Sequence, residues 1–166
     1  MFKRAVSPAT GRSPVTSRTP LSGSGEERTA REVAVNMARD NGATPLFVAA
    51  QNGHETMVRA LIEMGADVKK AMDDGVPPLL IAAYNGHEAV VRALIDLGAN
   101  INKAKNNDAT PLFVAAQFGY ETVVRALIEM GADVNKAMHV GATPLYSAAQ
   151  EGHAAIVQIL RDAGAA

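Results

Sequence analysis

Residues 110–137 read TPLFVAAQFGYETVVRALIEMGADVNKA, and residues 44–71, 66 positions earlier, read TPLFVAAQNGHETMVRALIEMGADVKKA. A looser copy lies between them at 77–104, and a shorter one follows at 143–166. The spacing is 33 residues each time: Pro-Leu recurs at 45–46, 78–79, 111–112 and 144–145, and Gly42, Gly75, Asp108 and Gly141 hold one phase. Self-similarity at a fixed period of this size marks one supersecondary unit repeated, each copy burying its apolar face against the next.

The unit can be built from its residues. Thr44 is a good helix N-cap, and Pro45 suits the first helical position, where its missing N–H costs nothing. Leu46, Ala49 and Ala50 then share one face at i, i+3, i+4. Gly53 supplies the left-handed residue that ends this short helix. A second helix starts near His54, with Val58, Leu61 and Ile62 inward and Glu55, Arg59 and Glu63 outward. Gly65 stops it, and residues 66–74 make an extended turn back to Gly75. The Ala-Ala pairs at 49–50, 82–83, 115–116 and 148–149 let helices of neighbouring units approach closely. The expected architecture is all-α, four stacked helix pairs.

The run Thr-Pro-Leu-x-x-Ala-Ala, then Gly-His, an apolar stripe and Gly-Ala-Asp-Val-Asn, resembles the ankyrin repeat over roughly residues 35–166. The resemblance implies a solenoid of helix-turn-helix pairs with projecting β-turn fingers. It also implies a concave face of finger tips and first helices that grips another protein. Several positions depart from the family pattern. The histidine usual after Thr-Pro-Leu is replaced by Phe47, Leu80, Phe113 and Tyr146, so apolar packing takes over from the family's Thr–His hydrogen bond. The aspartate that opens each finger is replaced by Arg39, Met72, Lys105 and Met138. Pro77 stands where a capping threonine belongs, and Asp108 takes the place of a turn glycine.

Three regions are expected: a disordered tail over 1–25, a degenerate N-terminal cap or partial repeat over 26–41, and a repeat domain over 42–166, divided at 42–74, 75–107, 108–140 and 141–166. The tail holds too little apolar side chain to offset ordering entropy. Its composition, rich in Arg, Ser and Thr and free of acid, fits an organelle transit peptide as well as an inert linker. Ser7-Pro8, Ser13-Pro14 and Thr19-Pro20 have the form of proline-directed phosphorylation sites. In the second region, Val35-Asn36-Met37-Ala38 keeps the phase of Val134-Asn135-Lys136-Ala137, but Glu26 to Arg31 lack the Leu-Ile pair of a second helix. The fourth copy stops before its finger, which is expected of either a C-terminal cap or a fragment of a longer array.

Composition narrows the function. With no cysteine there is no disulfide framework and no thiolate metal site. No apolar run approaches the ~18 residues of a membrane span. Residues 39–166 carry 10 basic and 14 acidic side chains, a net −4, which argues against the basic stripe that nucleic acid requires. A cytoplasmic or nuclear protein is expected, unless the tail directs the chain to an organelle. His54, His87 and His153 recur at the repeat period, in successive units about 8–10 Å apart or more, too far for one metal ion with bonds of about 2 Å. They are better read as helix-start residues bonded to backbone. Ser147 lies inside a predicted helix without the Gly-x-Ser-x-Gly context of a nucleophile. No catalytic constellation, metal site or cofactor site is expected.

The expected function is protein binding by a monomeric repeat module. The alternative is an adaptor segment of a larger enzyme or membrane protein whose activity lies outside this chain. Copies one and three (42–74 and 108–140) agree at 26 of 33 positions. They differ at Gly42/Asp108, Asn52/Phe118, His54/Tyr120, Met57/Val123, Lys69/Asn135, Asp73/His139 and Asp74/Val140. Three of these pairs, 52/118, 73/139 and 74/140, fall at first-helix ends or finger tips. Drift of exposed positions explains such variation as well as tuning for a partner does. The expected contact face has Tyr84 and Phe118 as its aromatic anchor. Its rim is Gln51, Asn52, Asp73, Asp74, Asn85, Asn106, Asn107, Gln117, His139, Val140, Gln150 and Glu151.

Overall fold

The computed structural model describes residues 24–166; the expectations for a disordered, targeting or phosphorylated tail fall almost wholly outside them. The described residues form helices and turns, with no strand. A leading helix, α1 (Ser24–Val35), precedes four pairs: α2 (Pro45–Gln51) with α3 (Glu55–Glu63), α4 (Pro78–Tyr84) with α5 (Glu88–Asp96), α6 (Pro111–Gln117) with α7 (Glu121–Glu129), and α8 (Pro144–Gln150) with α9 (Ala154–Asp162). First helices stack on first helices and second helices on second helices, each pair packing mainly against its neighbours. This is the one-dimensional arrangement expected of a solenoid.

Each first helix begins as its sequence dictates. Thr44, Thr110 and Thr143 sit in extended backbone, and their hydroxyls accept from the N–H of Phe47, Phe113 and Tyr146 at 3.1–3.2 Å. Pro77 keeps the same extended geometry but has no side chain to offer, so α4 starts without a cap. Thr110 is almost wholly buried, so its hydroxyl has no water to fall back on. Thr110→Ala is expected to lower unfolding free energy by about 1 kcal/mol in a denaturant titration; an unchanged midpoint would show that the capping bond contributes nothing.

The core is one continuous apolar seam. Leu46, Leu79 and Leu112 descend from the first helices, and Val58, Val91, Leu94, Val124, Leu127 and Leu160 face them from the second. Ala50, Ala83 and Ala116 have no exposed surface, which explains why these positions are alanine: a larger side chain would push adjacent first helices apart. Phe47, Leu80 and Phe113 are also buried, so apolar packing replaces the usual histidine in the first three repeats. Tyr146 departs from that expectation: it is 59% exposed, because no further repeat among the described residues covers the fourth first helix.

The helix α1 begins at Ser24, two residues before the boundary drawn from composition, and runs without a break to Val35. Glu32 stands in the phase of Gly65, so nothing stops the helix there, and the Glu32 side chain lies against Gly65. Asn36 fastens the segment to the first repeat. Its Nδ2 donates to the Gly65 carbonyl at 2.9 Å, and its Oδ1 accepts from the Asp67 N–H at 2.8 Å. Two further asparagines in this phase make the same kind of bond. Asn102 Oδ1 accepts from the Asp133 N–H at 2.9 Å, and Asn135 Oδ1 accepts from the Ala166 N–H at 2.9 Å. These side chains form a ladder joining successive loops. Lys69 occupies the remaining place in the phase and cannot make the amide bridge.

Charged side chains decorate the second helices. Glu55–Arg59, Glu88–Arg92 and Glu121–Arg125 are i, i+4 pairs at 2.8–2.9 Å. Arg92 also reaches Glu129 of the next repeat at 2.8 Å. The hydrogen bond to Glu129, then that to Glu88, pushes the Arg92 guanidinium above its ordinary value. All these groups are well exposed, and such pairs add little to stability.

Candidate functional site

At the ends of the first helices, each repeat reaches back to the one before. His87 Nε2 lies 3.0 Å from the Gln51 carbonyl, and His153 Nε2 lies 3.0 Å from the Gln117 carbonyl. A carbonyl only accepts, so both rings carry their proton on Nε2 in these bonds. The expected backbone bond is therefore present at His87 and His153, but it joins neighbouring repeats rather than closing the start of its own helix; His54 makes no side-chain bond to the start of α3. Tyr120 takes the corresponding place in the third repeat and lays its ring against Gly86. Among the described residues, no group of three or more His, Cys, Asp or Glu is arranged to hold a metal ion. Ser147 is buried within α8.

One position further out, a second set of contacts bridges the repeats. Asn85 Nδ2 donates to the Gln51 carbonyl at 3.2 Å and to the Ile81 carbonyl at 3.1 Å. In the next repeat Phe118 stands in the phase of Asn85, and Tyr84 in the phase of Gln51. The two rings meet edge to face, with centroids 4.6 Å apart and planes at 65°. An aromatic contact has thus replaced an amide–carbonyl bridge. Tyr84 and Phe118 remain 43% and 44% exposed, so they lie on the surface and not in the core.

The fingers are tight turns closed by paired backbone bonds. Gly42 N–H donates to the Arg39 carbonyl at 2.9 Å and Arg39 N–H to the Ala43 carbonyl at 3.0 Å, and the pattern recurs at 72–76, 105–109 and 138–142. The residue after each turn has positive φ, 81° at Gly42 and 62° at Asp108. Asp108 is the only non-glycine with positive φ among the described residues. Its carboxylate lies 2.6 Å from His139 Nδ1 on the next finger. In the first repeat the same contact joins Gly42 to Asp73, and a Cβ on Gly42 would stand 2.6 Å from the Asp73 carboxylate. Gly42/Asp108 and Asp73/His139 are therefore one coupled exchange. An aspartate at position 42 would press one carboxylate on another, whereas at 108 it meets an imidazole. The two exchanged positions are visible in the sequence, 31 residues apart in each copy, but not that they touch.

A family model described as ankyrin repeats (3 copies) matches residues 23–105 and again 102–166. The chain belongs to the ankyrin-repeat family. No curated protein matches it. Ankyrin repeats are in general protein–protein interaction modules. Among the described residues of this ankyrin chain, no helix is long and apolar enough to cross a membrane.

On the ankyrin framework, the predicted contact residues fall at two levels. Gln51, Asn52, Tyr84, Asn85, Gln117, Phe118, Gln150 and Glu151 line the first-helix ends, and Asp73, Asp74, Asn106, Asn107, His139 and Val140 line the finger tips. All are exposed except Asn85 and Gln117, which are half-buried. Several have local work that the sequence did not reveal. Asn52 Nδ2 donates to the Val48 carbonyl at 2.9 Å. Asp74 and Asn107 accept from the N–H two residues on, at 3.2 Å each, and so hold their own turns. Val140, in the same phase, can make no such bond and is 84% exposed. Tyr84, Phe118 and Val140 are the large apolar side chains of this set that present surface.

Proposed function

We propose that the chain is a protein-binding module whose contact face is the first-helix ends and finger tips, anchored on Tyr84 and Phe118. The observation that carries this reading is the exposed edge-to-face pair. Aromatic residues are enriched in interfaces because they bury large area at small entropic cost. Here the two rings also hold each other in place, so little side-chain freedom remains to be lost on docking. The pair replaces the polar bridge that joins repeats one and two, and the fold does not require aromatics at either position. Val140 extends the apolar surface at the finger level. The amides and carboxylates around it form the polar rim, and those already bonded to backbone are pre-set for a partner.

The test uses residues that other copies already carry. Tyr84→Gln with Phe118→Asn restores the pattern of the first repeat, so thermal stability should stay near that of the native chain. The native protein and the double variant are each immobilised, and the affinity of every captured protein is measured. The variant is expected to bind its partner about 30-fold more weakly, corresponding to about 2 kcal/mol. Equal affinity in a folded variant would rule the aromatic patch out as the anchor.

A further inference from the structure

The loop leaving repeat one, the start of α4 and the loop leaving repeat two line a cavity of about 330 Å³. Its floor is apolar, made by Val68, Leu79 and Ala99, and its rim carries Lys69 and Lys103. The corresponding notches elsewhere are bridged by the asparagine ladder. Between α1 and repeat one, Asn36 bonds the Asp67 N–H, and Lys70 Nζ donates to the Asn36 carbonyl at 3.2 Å. Between repeats two and three, Asn102 bonds the Asp133 N–H, and Lys136 Nζ donates to the Asn102 carbonyl at 3.4 Å. Each of these notches carries one aspartate and one lysine at these positions, so their charges balance.

The notch between repeats one and two breaks this pattern three times. Lys69 replaces the bridging asparagine, Asn100 replaces the aspartate, and Pro77 replaces the capping threonine. The bridge is missing, so among the described residues neither the Asn100 N–H nor the Gly98 carbonyl has a hydrogen-bond partner. Lys103 is likewise without the carbonyl contact that Lys70 and Lys136 make. The lining of the site therefore holds two cations, no acid and a free backbone donor above an apolar floor; the nearest acid in sequence, Asp67, lies outside the lining and accepts from the Lys69 N–H at 2.9 Å.

We propose that this notch binds an aliphatic group ending in a carboxylate, with the apolar part on Val68, Leu79 and Ala99 and the carboxylate between Lys69, Lys103 and the Asn100 N–H. A carboxylate restores the negative charge that Asn100 removed and gives the free N–H an acceptor. The volume, at the lower end of the roughly 300–1,000 Å³ of ligand pockets, suits a small group. Two sources share this chemistry: the C-terminal residue of a protein, or a free aliphatic acid. The site shares no lining residue with the aromatic patch, so either can fail alone.

Backbone amide NMR with N-acetyl-Ala-Leu, its C-terminal amide, and hexanoate as probes tests the proposal. The expected result is a saturable shift centred on Asn100 with N-acetyl-Ala-Leu, weakening as salt is raised, and at least tenfold weaker binding of the amide. Lys69→Asn restores the residue found at 36, 102 and 135, rebuilds the ladder and should reduce binding at least tenfold while the chain stays folded. A shift with the peptide alone assigns the ligand to a protein C-terminus, and an equal one with hexanoate to a free acid; either outcome supports the shared chemistry. Absence of a shift at Asn100 with both acids, equal binding of the amide, or undiminished binding to the folded Lys69→Asn variant would overturn it.

Discussion

Leu94→Ala is expected to cost about 2–5 kcal/mol of unfolding free energy, the range for removing a fully buried leucine from a core that relaxes only in part. Leu94 lies on α5, has no exposed surface, and sits in a helix packed between α3 and α7. Truncation opens a cavity in the second of four repeats, whose helix α5 packs against α3 on one side and α7 on the other. Repeat stability is close to a sum of intrinsic and nearest-neighbour terms, so damage at one repeat weakens two interfaces and can split the stack into separately melting halves. Denaturant unfolding followed by helical circular dichroism should show an earlier transition, with a broad or two-step profile. A loss under 1 kcal/mol would mean that the neighbouring side chains close the cavity.

The second large effect is expected at Gly86. Its φ is +76°, and an added Cβ would stand 2.7 Å from Tyr120 Cδ1. Gly86→Ala therefore meets two costs: roughly 1–2 kcal/mol for a left-handed non-glycine residue, and about 1–3 kcal/mol for displacing a packed ring. Gly98 supplies the control, since its φ is +98° but a Cβ there would meet nothing within 4 Å. Gly98→Ala should show backbone strain alone. Melting the two variants side by side isolates the ring contact as their difference. Equal losses would mean that Tyr120 swings aside freely and that the left-handed backbone is the whole reason for glycine at 86.

The tyrosine in that contact shows how far linear reading reaches. Repeat phase places His54, His87, Tyr120 and His153 at the same position of four successive repeats. It does not show that the rings of His87, Tyr120 and His153 rest on the glycine ending the previous repeat's first helix, because that contact spans two units. The seven differences between copies one and three are likewise plain in the sequence. Their meaning is not, since Asp108 and His139 become partners only when one finger lies beside the next. The roles of Asp74 and Asn107 in holding their own turns were also hidden, since an aspartate or asparagine at a finger tip serves a turn and a partner equally well on paper.

The 33-residue period, with its Thr-Pro starts, glycine stops and i, i+3, i+4 stripes, determined the helix pairs, their order and their stacking. These features are local, and a single apolar stripe per helix leaves one way to bury it. Contacts 29–34 residues apart were decided by the tertiary structure alone: the edge-to-face meeting of Tyr84 and Phe118, the Asp108–His139 pair, the asparagine ladder and its break at Lys69. Their energies depend on which side chains from adjacent repeats fall opposite one another, at what distance and with what exposure. Those quantities do not exist until the repeats are stacked.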